Sequence, residues 1–204
     1  MQDFFLTLKA ESESLYKEKG SKFIGIACRV TSEKDIKVKL EELRKTYHDA
    51  RHHCYAYVLG KSGEKTRAND DGEPNHSAGD PILGQIRSKN LTNTLIVVIR
   101  YFGGTKLGVS GLIHAYKTAA EEAIELNSII EEPIVDELFW AFEYSEMNEV
   151  MKLVKDFDIK ITNQGYDSKS TLNANILVSR TESLLEKVDL LNKTGHDIEL
   201  KVNP

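Results

Sequence analysis

Hydrophobic and polar residues repeat with two different periods along the chain, and the changes of period predict where helices and strands lie. The last third follows the order strand, helix, two strands, helix, strand. The six segments are 138–142, 147–157, 159–162, 171–178, 184–191 and 198–202. The order βαββαβ predicts a ferredoxin-like fold. We place helix N-caps at Ser145 and Thr181 and a turn at Asp167–Lys169.

The first two thirds of the chain are less regular, but the same two periods predict helices and strands there. Ser32 and Asp35 form a capping-box start, which predicts a helix directly after Ser32. Asp80-Pro81 predicts the start of a second helix, because proline is favoured in the first turn. The other predicted elements are a strand at 24–30, a hairpin at 54–67 that turns at Gly60–Gly63, a strand at 95–99 buried on both faces, and a helix at 112–123.

A compositional break at Asn127–Pro133 predicts two domains. Pro133 cannot continue the helix that precedes it. Charge also changes at this point: residues 1–128 contain 19 basic and 17 acidic side chains, whereas residues 129–204 contain 8 and 15. We therefore predict an α+β protein with domains at 1–130 and 131–204, and we expect an anionic partner to bind the first domain.

Composition excludes several classes of protein. Hydrophobic residues make up 40% of the chain and charged residues 29%, which is typical of a soluble globular protein. The longest aliphatic run, Leu95–Ile99, is far shorter than the roughly 20 residues of a membrane span. The N-terminus lacks the basic segment of a secretory signal peptide, so we do not expect export by that route. Cys28 and Cys54 form no C-x-x-C pair, so we predict reduced thiols in a cytoplasmic protein without a structural zinc site.

The first candidate binding site is residues 100–111, a glycine-rich segment between a strand and a helix. Backbone N–H groups and the helix dipole can hold an anion at such a junction, and Arg100 and Lys106 would add positive charge. The segment matches neither the Walker A pattern nor the dinucleotide-binding pattern. The alternative is that its glycines only permit a tight turn and close helix packing. These glycines are Gly103, Gly104, Gly108 and Gly111.

The second candidate is an acidic turn that contains Asp70, Asp71 and Glu73. Three carboxylates within four positions could ligate Mg²⁺ or Ca²⁺, although their spacing is not that of an EF-hand. The commoner use of an Asp-Gly turn is structural, with the carboxylates bound to nearby backbone N–H groups and to Arg67. We therefore predict neither a metal nor a cofactor in this protein.

The third candidate is a set of aromatic and basic side chains. His53, Tyr55 and Tyr57 share one face of a strand, where they would form a stacking surface or the solvent side of a half-buried sheet. His52 faces the other way and is poorly placed to share a metal ion with His53. Tyr101 and nearby basic residues would suit single-stranded nucleic acid, through stacking and phosphate contacts. The basic residues are Arg51, Arg67, Arg100 and Lys106.

Three motifs, in order along the chain, resemble the bacterial two-domain type of the IMPACT family, also called YigZ-like. They are Asp49–Tyr57; Asp70–Pro74 with Ser77–Gly79 and Pro81–Leu83; and Val98–Gly104 with Leu107-Gly108, Gly111-Leu112 and Ala115-Tyr116. Lys19–Ile24 is similar to the opening segment of the family, so the resemblance covers about residues 13–126. The sequence departs from the family pattern at Asn75-His76, where Ser-Gly is common, and at Ser110, where Gly is common.

The resemblance implies both a fold and a function. The first domain is expected to have the fold of ribosomal protein S5 domain 2, a β-α-β sheet domain with helices on one face. The second is expected to resemble domain V of elongation factor G. Eukaryotic relatives restrain the amino-acid-starvation kinase of the translation machinery by competing for its ribosome-associated co-activator, and they use an RWD domain that this sequence does not contain. What carries over is a cytosolic regulator, associated with nucleic acid or the ribosome, without established catalysis.

Three functions are compatible with the sequence. The first is a non-enzymatic binding module of translation, in which the basic residues and Tyr101 face RNA, the ribosome or a translation factor. The second is an enzyme or small-anion binder, in which the acidic turn holds a divalent ion beside residues 103–111. The third is a protein-interaction domain, in which the motif residues serve the fold and the surface shape.

Overall fold

The structure is a computed structural model that describes residues 2–166 and 168–203; Asp167, in the predicted turn, lies outside the described residues. The chain divides into two units, Phe5–Glu132, and Pro133–Pro204 together with Met1–Phe4. Both contain helices and strands, which confirms the α+β class. The domain boundary after residue 130 stays a prediction. Among the described residues, no helix is both long enough and apolar enough to cross a membrane.

An antiparallel sheet of five strands is the frame of the first unit. The elements, in chain order, are β1 (Phe4–Leu8), β2 (Ser12–Glu18), β3 (Ser21–Arg29), α1 (Glu33–Thr46), β4 (His52–Leu59), β5 (Lys65–Asn69), α2 (Gly79–Ser88), β6 (Thr94–Tyr101), α3 (Gly108–Glu125) and β7 (Ile129–Pro133). The sheet has the order β2-β3-β6-β4-β5, and each neighbouring pair is antiparallel. β1 and β7 pair in a separate two-stranded sheet.

Both faces of the five-stranded sheet are buried, because side chains alternate along its central strand β6. Leu95, Val97 and Ile99 pack in one apolar cluster with α1. Ile96 and Val98 pack in a second cluster with α2 and α3. The strand at 95–99 is therefore buried on both faces, as predicted. The expectation of helices on one face only is wrong, because α1 covers the face opposite α2 and α3.

The predicted element starts in this unit are largely confirmed. The Ser32 side chain accepts a hydrogen bond from the Asp35 N–H at 3.1 Å and caps α1. α2 begins at Gly79 and has Pro81 in its first turn. The β4–β5 hairpin turns between Gly60 and Gly63, which have φ values of 94° and 72°.

The sequence patterns did not predict β1, β2 or β7. In β2 the first two positions that face α3 are serines and only the third, Tyr16, is aromatic, so the strand lacks the apolar alternation that identifies a half-buried strand. The Ser12 and Ser14 hydroxyls donate to the Ala123 and Ala119 carbonyls of α3, at 2.6 and 2.8 Å. Hydrogen bonds to α3 therefore replace apolar packing at the start of this strand, whereas Tyr16 packs against the apolar cluster.

The second unit has the ferredoxin-like order that the pattern predicted. Its elements are β8 (Val135–Phe142), a 3₁₀ turn (Tyr144–Glu146), α4 (Met147–Asp156), β9 (Lys160–Tyr166), β10 (Ser170–Leu177), α5 (Val178–Lys193) and β11 (Ile198–Asn203). The strands lie antiparallel in the order β11-β8-β10-β9. Trp140 and Phe142 of β8 are fully buried in one apolar cluster with both helices.

Both predicted N-caps in the second unit are wrong. Ser145 lies in the 3₁₀ turn, and α4 begins after Glu146 without a side-chain cap. α5 begins at Val178, before Thr181, whose hydroxyl donates to Asp136 Oδ2 at 2.6 Å. The first turn of α5 is instead bound by Asp3, which accepts the Ser179 N–H at 3.1 Å and its hydroxyl at 2.7 Å. A capping partner so distant in sequence leaves no local signal.

Candidate functional site

Arg100 and Tyr101, the last two residues of β6, point to opposite faces of the sheet. Arg100 is only 7% exposed, and its guanidinium lies over the rings of Phe23 and Phe102, at 5.4 and 5.7 Å from their centroids. Tyr101 packs against the cluster under α1. Its hydroxyl donates to Asp49 Oδ1 at 2.7 Å, and this hydrogen bond raises the pKa of Tyr101 to about 12.

Glu73 is the buried counter-ion of Arg100. An Arg100 Nη1 hydrogen bond reaches Glu73 Oε1 at 2.6 Å, and the Tyr116 hydroxyl donates to the same oxygen at 2.8 Å. The Cys54 sulfur lies 3.4 Å from the Tyr116 hydroxyl and donates to the Asp70 carbonyl at 2.9 Å. Burial raises the pKa of both Tyr116 and Cys54, so both stay protonated at neutral pH. The charge of Glu73 is therefore matched by Arg100 alone within this buried chain of hydrogen bonds.

The other two carboxylates of the acidic turn hold the loop between β5 and α2. Asp70 accepts backbone N–H groups from His76 and from two residues at the start of α2, at 2.8, 2.9 and 2.8 Å. Burial alone would raise the pKa of Asp70, but these N–H groups outweigh it and lower the pKa. Asp71 Oδ2 accepts the His53 N–H at 2.7 Å. Across the part of the chain that the structure describes, no cluster of His, Cys, Asp and Glu is arranged to hold a metal ion.

The glycine-rich segment combines tight backbone packing with open backbone. A Cβ on Gly103 would fall 1.9 Å from the carbonyl carbon of Gly20 and 2.1 Å from the nitrogen of Ser21, so only glycine fits there. Gly104 and Gly108 have φ values of 87° and 74°, and a Cβ on either would meet nothing within 4 Å. The backbone of the segment is therefore tightly packed at Gly103, and it is open to solvent at Gly104 and Gly108, next to α3.

A cavity of about 400 Å³ opens where the glycine-rich segment meets α3. Its walls include the basic residues Arg51, Arg100 and Lys106 and the apolar residues Phe102, Val109 and Leu112. We call this cavity the basic groove. Arg51 and Lys106 are exposed, and neither forms an ion pair with a carboxylate among residues 2–166 and 168–203. Glu73 also lines the groove, but it forms an ion pair with Arg100 and so does not neutralise Arg51 or Lys106.

The match to a family of known proteins covers this whole site. The family model of the Impact N-terminal domain matches residues 19–124, which contain every residue that lines the basic groove. The chain belongs to the IMPACT family. It is 28% identical over 199 residues to the IMPACT family member YvyE of Bacillus subtilis, covering 98% of this chain and 91% of YvyE. It is 32% identical over 152 residues to the IMPACT family member YigZ of Escherichia coli K12, covering 74% of each chain.

A solved structure of this fold extends the likeness along the chain. The crystal structure of a hypothetical protein is 26% identical and covers 100% of this IMPACT-family chain and 99% of its own, with a TM-score of 0.71. The expected fold class is confirmed: an S5 domain 2-like first part followed by a ferredoxin-like second part.

All three IMPACT motifs contribute to the basic groove. The first motif supplies Arg51, the second Glu73, and the third Arg100 and Gly108. The opening segment Lys19–Ile24 supports the third motif, because Gly103 packs against the backbone of Gly20. The motifs therefore converge in space on one surface of the first unit.

The remaining candidate residues lie elsewhere. Tyr55 and Arg67 line a separate cavity of about 430 Å³ beside α1. His53, Tyr55 and Tyr57 are 6%, 8% and 8% exposed, so they form neither a stacking surface nor the solvent side of a sheet. The physical reason is α1, which covers this face. Tyr101 lies on the same side, so the residues proposed to contact nucleic acid are divided between two faces of the sheet.

Sequence reasoning missed the burial of Arg100 and the part played by Tyr116. The signal was present in the alternation of β6, which places Arg100 on the face of Ile96 and Val98 and Tyr101 on the other face. The pairing with Glu73 had no sequence signal, because it depends on how the loop before α2 folds back on the sheet.

Proposed function

We propose that this IMPACT-family protein is a cytosolic, non-enzymatic regulator associated with translation, and that its first unit binds RNA on the ribosome through the basic groove. Family membership supports the link to translation. The observation that carries the proposal is the pair Arg51 and Lys106, two exposed cations without carboxylate partners among the described residues, beside the exposed ring of Phe102.

These side chains have the chemistry that a nucleic-acid strand requires. Cations that lack a protein counter-ion can neutralise phosphates and release the counter-ions bound there, which makes binding salt-dependent. The ring of Phe102 is 54% exposed and can stack on a base. Because the acidic excess of the chain lies in residues 129–204, attraction to phosphate is concentrated in the first unit.

The test is sedimentation of cell lysate through sucrose gradients at low and moderate salt, with the protein detected in each fraction. We expect co-migration with ribosomal particles that is lost at moderate salt and in the double variant Arg51→Glu/Lys106→Glu. The matched control is Lys37→Glu/Arg67→Glu, which changes the net charge equally at the other cavity and should still co-migrate. Protein that stays at the top of every gradient, or a control that behaves as the groove variant does, contradicts the proposal.

Arg100 is unsuitable for charge reversal because of its buried pairing. A glutamate at that position would face Glu73 at close range inside the protein, so loss of binding would report unfolding. The geometry gives no support to the alternative of an enzyme with a divalent ion on the acidic turn. Asp70, Asp71 and Glu73 have three different sets of protein partners.

A further inference from the structure

The basic groove has two positive charges that no carboxylate of the described residues neutralises. Arg100 is neutralised by Glu73 at 2.6 Å. Arg51 and Lys106 line the same cavity, and neither has a carboxylate partner within the described parts of the chain. A group with two negative charges would therefore balance the groove, whereas a phosphodiester of the nucleic-acid backbone carries only one.

Arg100, which lines the groove, also has a donor that is not used. Its Nε is buried without a hydrogen-bond partner among the residues that the structure describes, although the guanidinium is fixed by Glu73 and two rings. A buried donor without a partner is uncommon and costs free energy, so a ligand acceptor at this position would be favourable. Arg100 is thus a fixed side chain with an unused donor, in the lining of the cavity that also contains Arg51 and Lys106.

The first turn of α3 adds further donors to the same wall. Leu107 at the N-cap makes no side-chain cap, and the first turn contains no acidic residue that would occupy its N–H groups. The backbone around Gly108 is open, since a Cβ there would meet nothing within 4 Å. An oxyanion that reaches the two cations can therefore also approach the positive end of α3.

The lining of the groove also includes apolar side chains. Phe102 and Val109 are 54% and 53% exposed, and the buried Leu112 also lines the groove. The Phe102 ring is held from one side by Arg100, which leaves it ready to stack with a planar ring. The volume of about 400 Å³ is in the range of small-ligand sites, roughly 300–1,000 Å³.

We propose that the basic groove binds a phosphomonoester attached to a planar ring, as in a nucleoside 5′-monophosphate. The phosphate, with a charge of about −2, lies between Arg51, Lys106 and the start of α3, and the ring stacks on Phe102. Such a group occurs in a free mononucleotide and at the 5′ end of an RNA. The inference rests on the assignment of the groove in the proposed function, and it adds the terminal phosphate as the feature recognised.

The experiment compares ligands that differ in one group. Calorimetry is run with AMP, ribose 5-phosphate and adenosine, and fluorescence anisotropy with one short 3′-labelled RNA that bears either a 5′-phosphate or a 5′-hydroxyl. We expect AMP to bind more tightly than ribose 5-phosphate and adenosine. Arg51→Gln/Lys106→Gln should weaken AMP binding about tenfold or more, and Lys37→Gln/Arg67→Gln should not change it. Phe102→Leu should weaken AMP more than ribose 5-phosphate.

The RNA arm distinguishes the two sources of the phosphate. RNA with a 5′-phosphate that binds about tenfold tighter than AMP identifies the RNA end as the ligand, and equal affinities identify the free mononucleotide. The inference is overturned if adenosine and 5′-hydroxyl RNA bind as well as their phosphorylated counterparts, or if no phosphomonoester binds. Equal binding of both RNAs leaves the proposed function standing. Phosphomonoester binding without ribosomal co-migration overturns only the proposed function.

Discussion

Arg100 and Glu73 form an ion pair whose side chains are 8% and 4% exposed, with 2.6 Å between nitrogen and oxygen. Removing one partner from such a pair leaves a buried charge without a counter-ion, which costs about 3–5 kcal/mol. We therefore expect Glu73→Ala to lower the free energy of unfolding by that amount, measured by urea denaturation.

A double-mutant cycle tests whether that cost belongs to the pair. Arg100→Ala should also be strongly destabilising, but Glu73→Ala/Arg100→Ala should lose less than the sum of the two single variants, because no unpaired charge remains. Additive losses would show that the two side chains stabilise the fold independently.

Gly103 provides a test of backbone packing. In Gly103→Ala the new methyl group would overlap the backbone of Gly20, so we expect a loss of about 2–3 kcal/mol in the free energy of unfolding. Gly84, inside α2, is the matched control, because a Cβ there meets nothing within 4 Å. Gly84→Ala should gain roughly 0.5–1 kcal/mol from helix propensity. Equal effects of the two substitutions in thermal or urea unfolding would contradict the packing argument.

The lowered pKa of Asp70 predicts that the folded protein loses stability at acidic pH. Its pKa in the folded protein is below the ordinary value of 3.8, so its contribution is complete above that value and is lost as the pH falls through the lower folded pKa. Asp70→Asn keeps one acceptor oxygen and loses the charge, so we expect it to cost about 1 kcal/mol at pH 7 and less at pH 3. Urea denaturation of both proteins at the two pH values measures the difference. A cost that is constant or larger at pH 3 would contradict this assignment.

The segment that matches the family model is smaller than the unit that folds. A fragment of residues 19–124 lacks β1, β2 and β7, and it loses the Ser12 and Ser14 bonds to α3. We expect that fragment to lack cooperative thermal unfolding followed by circular dichroism, and residues 5–132 to unfold cooperatively. Equal cooperativity of the two fragments would show that the three strands are dispensable.

The sequence predicted elements whose signals are local and missed those that depend on distant partners. The ferredoxin-like order followed from clean alternation, but the cap of α5 comes from Asp3, which is 176 residues from Ser179. His76 is a position where the structure explains a local feature of the sequence. Its φ of 64° explains why glycine is common at this position of the family, yet the sequence alone showed only the departure. The basic groove depends on three loops that meet only in the folded chain.

The pairing of β1 with β7 also affects the time at which the first unit can form. Beside these strands, the Asn127 amide donates to the Ala10 carbonyl at 2.9 Å, across 117 residues of sequence. β1 precedes β7 by more than a hundred residues, and until β7 has been made β1 can pair only with the Leu91 segment, through the Leu6–Leu91 bridge. The first unit therefore cannot be completed step by step in the order of synthesis, because the strand that pairs along β1 is made only after all five strands of the large sheet.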